Sequence, residues 1–176
     1  LFERARTLQI ELGCPEEKIQ VTPNGIDVDG FADIPGKSQD EEQIISIGAV
    51  LRVSPIKDVK TMIQAFAFAK KKVPNLKLWI MGPTDEDKKY AQECFDIVES
   101  LGVSDIEFTG RVNVKEYLGR MDFTILTSIS EGQPLTILES YAAHKPTIAT
   151  DVGNCRELIY GNDDGFGAAG ILTHIM

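Results

Sequence analysis

Arg52 and Lys57 flank Pro55, and Glu131 and Glu139 stand eight positions apart across a Gly-Gln-Pro turn. These are two cations and two carboxylates, types suited to binding an anion and hydroxyl groups. Arginine grips phosphate with a planar fork of donors, and lysine adds a point charge. Around the carboxylates, the apolar, β-prone run Phe123 to Thr127, the punctuation at Gly132 and Pro134, and Leu135, Leu138 and Tyr141 at helical spacing predict strand, turn and helix. Proline suits the first helical turn, so the helix starts near Pro134. That leaves the N–H groups of Leu135 and Thr136 free at its positive end, where phosphate is attracted. Glu139 lies about 7.5 Å further along the axis at 1.5 Å per residue, beyond a diphosphate held at the helix end. A carboxylate there can accept from two hydroxyls of a sugar. Taken alone, Arg52 and Lys57 also read as solvated surface charges, and Glu131 as a carboxylate that stabilises the helix dipole.

The elements that must position these groups alternate. Ile44 to Val50, Leu76 to Met81, Ile106 to Thr109, Phe123 to Thr127 and Pro146 to Thr150 read as strands of the buried parallel type. Between them, Val59, Met62, Ile63, Phe66 and Ala69 mark one helix face. Asp85 to Leu101 reads as a second helix, with Ala91, Cys94, Val98 and Leu101 inward and Asp85, Glu86 and Asp87 at its N-terminus. Asn113 caps a short helix to Arg120, and Gly153 starts a turn before a last helix through Leu158. Five strands alternating with helices predict an α/β, doubly wound parallel sheet, in which ligands gather at the carboxyl ends of the strands. Arg52 and Lys57 follow the first strand, so they stand where an anion would bind. Upstream, Phe2 to Leu12 reads as a helix ended by Gly13, Ile19 to Thr22 as a short strand, Pro23-Asn24-Gly25 as a turn, and Pro35 to Glu42 as a mobile connector. Residues 161–170 read as a loop. Asp27-Val28-Asp29 matches a metal-binding Asp-x-Asp, but one turn supplies too few converging oxygens and reads as solvated carboxylates. Trp79 and Cys94 read as core, not reactive groups.

The ordered set formed by Glu131, Glu139, Pro146 to Asp151 and Gly153 resembles the Glu-x7-Glu signature of retaining GT-B glycosyltransferases, most of all family 4. Ser130 to Leu135 with Arg52 to Asp58 further resembles the subgroup that builds Pel-type exopolysaccharide. The resemblance implies a Rossmann-like domain, the C-terminal, donor-binding half of a GT-B enzyme. Residues 1–42 would be a helix and connector on the interdomain side, and 43–176 the nucleotide-sugar-binding core. It implies that Glu139 binds the ribose of a UDP-sugar, that Glu131 contacts the transferred sugar, and that Arg52 and Lys57 hold the diphosphate and stabilise the leaving group. Gly132, Gln133, Leu135 and Thr136 would complete the donor site, and Arg111 and Val112 would border the base. No metal or other cofactor is implied. The partners would be the sugar nucleotide, an N-terminal GT-B domain and a glycan acceptor. Pro134, His144 and Asn154 stand where family members commonly carry glycine. Pro134 matches the Pel-like subgroup, His144 reads as a helix-ending residue, and Asn154 bears on acceptor contacts.

The 176 residues, 43% hydrophobic, suffice for one substantial core. A formal net charge of −9 argues against a nucleic-acid surface, so phosphate binding must be local. Three scattered cysteines support neither a disulfide framework nor a zinc site, which fits a reduced cytosol. No apolar run approaches a membrane span. Attachment to the inner face of a membrane through another part of a longer protein stays open. The chain opens on Leu1 and stops inside an apolar stretch, as a piece of a larger enzyme would. Two other classes share these features: a GT-B-type epimerase or phosphorylase, and a non-catalytic flavodoxin-like module.

Overall fold

A computed structural model of the chain describes residues 3–22, 24–161, 165 and 167–175. Six strands form one sheet: β1 (Ile45–Val50), β2 (Leu76–Met81), β3 (Ile106–Gly110), β4 (Phe123–Leu126), β5 (Thr147–Thr150) and β6 (Gly170–Thr173). All neighbours are parallel, in the order β3-β2-β1-β4-β5-β6. The strands are short apolar runs because both faces of a parallel sheet are covered by the crossover helices. Alternation along β2 shows the two layers. Leu78 and Ile80 pack beneath α3 (Val59–Lys70) and α4 (Lys88–Leu101), against Met62, Ile63 and Cys94. Trp79 and Met81 point to the opposite face, with Leu118 of α5 (Val114–Leu118) and Met121. A third cluster joins Ile137 of α6 (Leu135–Ala142) to Ile159 of α7 (Cys155–Tyr160) across Leu126 and Ala149. The expected doubly wound parallel sheet, with Trp79 and Cys94 in the core, is the observed one.

Several expectations need correction. Ile19 to Thr22 does not form a strand. It follows α1 (Glu3–Glu11) and a 3-10 turn as extended chain, because both sheet edges, β3 and β6, lie elsewhere. A sixth strand, β6, follows the glycine-rich stretch: Gly170 to Thr173 pair with β5. Residues 162–164 and 166 of that stretch, with Phe2 and Pro23 upstream, lie outside the described residues. Helix α4 begins at Lys88, since the Asp87 carboxylate accepts from Tyr90 N–H and caps it, so Asp85 and Glu86 lie in the preceding loop. Leu101, in its last residue, is exposed, and Tyr90 takes an inward position. The connector expected to be mobile is tied down. It holds a capping box between Ser38 and Glu41, and ion pairs join Glu41 to Arg120 and Lys37 to Asp122.

The strand ends that border the crevice are held closely. Gly82 donates to Gly110 O at 2.9 Å, and a Cβ at Gly82, whose φ is +147°, would lie 1.9 Å from Leu51 O. Gly82→Ala should therefore lower stability by at least about 2 kcal/mol. Thermal unfolding of the variant checks this, and an unchanged Tm would refute the close approach.

Candidate functional site

Strand order reverses between β1 and β4, so the connections leaving their carboxyl ends run to opposite faces of the sheet and a crevice opens beside them. Arg52 and Lys57 leave from β1, and Glu131 and the α6 N-terminus leave from β4. The two loops are laced together. Ile129 N–H donates to Ile56 O at 2.9 Å, and the Thr127 hydroxyl donates to Lys57 O and Asp58 O at 2.9 and 3.1 Å. Asp58 takes a left-handed φ of 45° as it caps α3, a conformation non-glycine residues seldom adopt without surrounding support.

This lacing sets Lys57 Nζ 2.5 Å from Glu131 Oε1. The side chains are 18% and 11% exposed, so the pair is nearly withdrawn from solvent. The buried Ser128 hydroxyl donates to the same Oε1 at 2.6 Å. Both bonds fall on one oxygen, and among the described residues Oε2 has no protein partner. Beneath lies Cys155, whose thiol burial and then the Glu131 charge push up to about 11, so it stays protonated.

The loop from Glu131 to Pro134 is clamped from two further sides. Gly153, at φ +56°, approaches so closely that a Cβ there would stand 2.1 Å from Glu131 O, and Asn154 N–H donates to Gly132 O at 2.9 Å. Asn154 is buried as the N-cap of α7, so a backbone bond is its contribution here. From the other side, Asn24 N–H donates to Gln133 Oε1 at 2.9 Å, and its side-chain amide donates to Gln133 O at 3.0 Å. Helix α6 then begins at Leu135 with Pro134 as its N-cap, which places Leu135 and Thr136 N–H in the first turn. His144, just past its end, adopts φ +58°, the left-handed turn that ends helices.

A cleft of about 450 Å³ is lined by Arg52, Lys57, Gly82, Arg111, Val112 and Thr136. A second, of about 460 Å³, has Ser130, Glu131, Asp151 and Gly153 on one wall and Ala5 and Leu8 of α1 on the other. Glu131 thus stands at the boundary of the two. Glu139 is half-buried on α6, where burial pushes its carboxyl up against a smaller opposing effect of Lys115. Among the described residues its carboxylate has no hydrogen-bonding partner. Asp27 is not simply solvated: Gly30 N–H and Lys115, 3.2 Å away, hold its carboxyl below the ordinary range.

The structure therefore brings Arg52, Lys57, Arg111, Val112, Glu131 and Thr136 around adjoining clefts, with Gly132, Gln133 and Leu135 in the loop and helix start that bound them. Three contributors escaped sequence reasoning. Ser128 draws no role of its own, Asn24 reads as turn chemistry, and Glu86 as an acid at the N-terminus of a helix that in fact starts at Lys88.

The family model described as glycosyl transferases group 1 matches residues 41–172. Among curated proteins, the chain is 26% identical over 174 residues to the D-inositol 3-phosphate glycosyltransferase of Kineococcus radiotolerans, covering 89% of this chain and 39% of that protein. It is 27% identical over 164 residues to the amylovoran biosynthesis glycosyltransferase AmsK of Erwinia amylovora, covering 89% and 40%. The chain thus spans well under half the length of these relatives. Among solved structures, Anabaena HepE in complex with UDP and glucose superposes with a TM-score of 0.79 at 21% identity, over 98% of this chain and 48% of that one.

Glu139 provides a test that needs no ligand. A carboxyl whose folded pKa lies above its ordinary 4.5 binds more protons folded than unfolded, so its charge lowers stability above that range and costs nothing below it. Glu139→Gln should raise Tm at pH 7, with the gain fading as pH falls through about 4.5. A gain independent of pH would show that burial of the charge is not its cause.

Proposed function

The chain belongs to the group 1 glycosyl transferases, and from that premise we propose that it is the donor-binding half of a retaining GT-B hexosyltransferase that uses a UDP-sugar, UDP-glucose foremost. The observation that carries the reading is the pairing of Lys57 with Glu131 at the mouth of the switch-point crevice, between a cleft with arginines and a cleft walled by Glu131. In this reading Arg52, Lys57 and the Leu135 and Thr136 N–H groups face the diphosphate. Glu139, half-buried and without a protein partner among the described residues, accepts from the ribose hydroxyls. Arg111 and Val112 border the base. Gly132 and Gln133 shape the loop between the phosphates and the sugar. Glu131 Oε2 accepts from a hydroxyl of the transferred hexose. The supports are the family membership and the UDP and glucose bound to HepE. The resemblance to the Pel subgroup and the likeness to AmsK favour exopolysaccharide synthesis as the setting.

The chemistry is leaving-group stabilisation. As the bond from the anomeric carbon to the diphosphate oxygen breaks, negative charge grows on the diphosphate. Cations and helix N–H groups already in place stabilise it without reorganisation. When Lys57 turns to the diphosphate, Ser128 continues to hold Glu131 in place. Glu131 orients the sugar in this scheme and is not the nucleophile. Fixed cations fill the role a divalent ion plays elsewhere, so binding should not need one. The acceptor and the alignment of the reacting groups belong to an N-terminal domain, and alignment of that kind contributes about 7 to 11 kcal/mol.

Calorimetry with UDP and uridine tests the assignments. Glu139→Ala should weaken both ligands by roughly 1 to 3 kcal/mol. Arg52→Ala and Lys57→Ala should weaken UDP far more than uridine, and equal losses would sink the phosphate assignment. UDP should bind this chain equally well with and without EDTA, while a long product assay with UDP-glucose should show no transfer. Binding abolished by EDTA would refute the metal-free mechanism, and turnover at ordinary enzymatic rates would refute the half-enzyme reading.

A further inference from the structure

Glu86 joins the two arginines of the first cleft. Its Oε2 accepts from Arg52 Nη1 at 3.1 Å, and its Oε1 accepts from Arg111 Nη2 at 3.2 Å. The loop that carries Glu86 is set by its backbone. Gly82 turns it at φ +147°, Val53 N–H donates to Pro83 O at 3.0 Å, and Asp87 is committed to capping α4. Asp85 adds a looser contact, 3.6 Å from Arg111 Nη2. Arg52 and Arg111 are 59% and 66% exposed, so solvent competes for them, and an exposed pair of this kind is weak enough to be exchanged.

We propose that Glu86, steadied from its other side by Arg111, is a built-in competitor for the donor's diphosphate: it holds Arg52 until a more highly charged anion displaces it, and so sets the charge a ligand must carry to bind well. The proposal rests on the reading of this cleft as the diphosphate site. A ligand without phosphate gains nothing by taking Arg52 from Glu86. A diphosphate that takes it also meets the repulsion of the carboxylate left beside it. The structure leaves Glu86 outside α4, which Asp87 caps, and places its two oxygens on the two guanidiniums that line the cleft.

The test is titration of the parent chain, Glu86→Gln and Asp85→Asn with UDP, UMP and uridine. Glutamine keeps the shape and removes the charge. Glu86→Gln should bind UDP roughly two- to five-fold tighter, the scale of one exposed charge interaction. The gain should be smaller for UMP, absent for uridine, and reduced at high salt. Asp85→Asn, which removes the same charge one residue away, should gain less for UDP. UDP affinity unchanged or weakened in Glu86→Gln, with UDP binding the parent, overturns this proposal alone. So does an equal gain for uridine, or an equal gain in Asp85→Asn. A parent that binds no UDP overturns the reading of the site and this proposal with it.

Discussion

Everything at the site depends on the reversal of strand order between β1 and β4. One half of the sheet is wound outward through β2 and β3, and the other through β5 and β6. Right-handed crossovers then carry the connections after β1 and β4 to opposite faces. The loops must part above the sheet at that one place, and neither α3 nor α6 can fill the gap. The position of the charges follows from this topology. Arg52 and Lys57 belong to the β1 connection and Glu131 and Glu139 to that of β4, so groups some eighty residues apart in sequence confront each other across one crevice.

A nearly buried ion pair such as Lys57 with Glu131 is a poor device for stability, because desolvation of both charges offsets much of their attraction. It is a good device for orientation. The surrounding bonds fit that role: Ser128 holds the carboxylate, Thr150 donates to Ser128 O at 2.5 Å, and Thr127 holds the backbone of Lys57. Each partner is fixed by neutral groups that would keep their places if the cation turned toward a ligand. The half-buried carboxylate of Glu139 carries an opposite message. It incurs the cost of burial with no protein partner among the described residues, an arrangement better suited to holding something else than to holding the fold together.

The parallel sheet was legible because Ile44 to Val50 and Leu76 to Met81 are apolar without alternation, and because glycine and proline punctuate nearly every strand end. The grouping of Arg52, Lys57 and Glu131 was legible once those strands were assumed, since doubly wound sheets put strand-end residues together. What escaped was set by pairing between distant segments. β6 is four residues at the start of the last apolar stretch, and only pairing with the open β5 edge makes it a strand. Glu86 looked like a first-turn helical acid because three acids precede Lys88 without distinction in sequence, and only the bond from Tyr90 N–H to Asp87 fixes which of them is the cap. Asn24 looked like a turn residue because its partner, Gln133, is 109 positions away.

That last contact couples two parts of the chain. Asn24 bonds both the side chain and the carbonyl of Gln133, in the loop whose next residues start α6. The segment that bears Asn24 continues into Val28, α2 (Asp29–Ala32) and Asp27, which reaches Lys115. A displacement that breaks the two bonds removes one of the loop's clamps, so its free-energy cost depends on how firmly the loop is held. Thermodynamic reciprocity then applies. If an occupant of the crevice steadies the loop, the upstream segment is steadied to the same degree, and a pull on that segment alters the occupant's affinity by an equal factor.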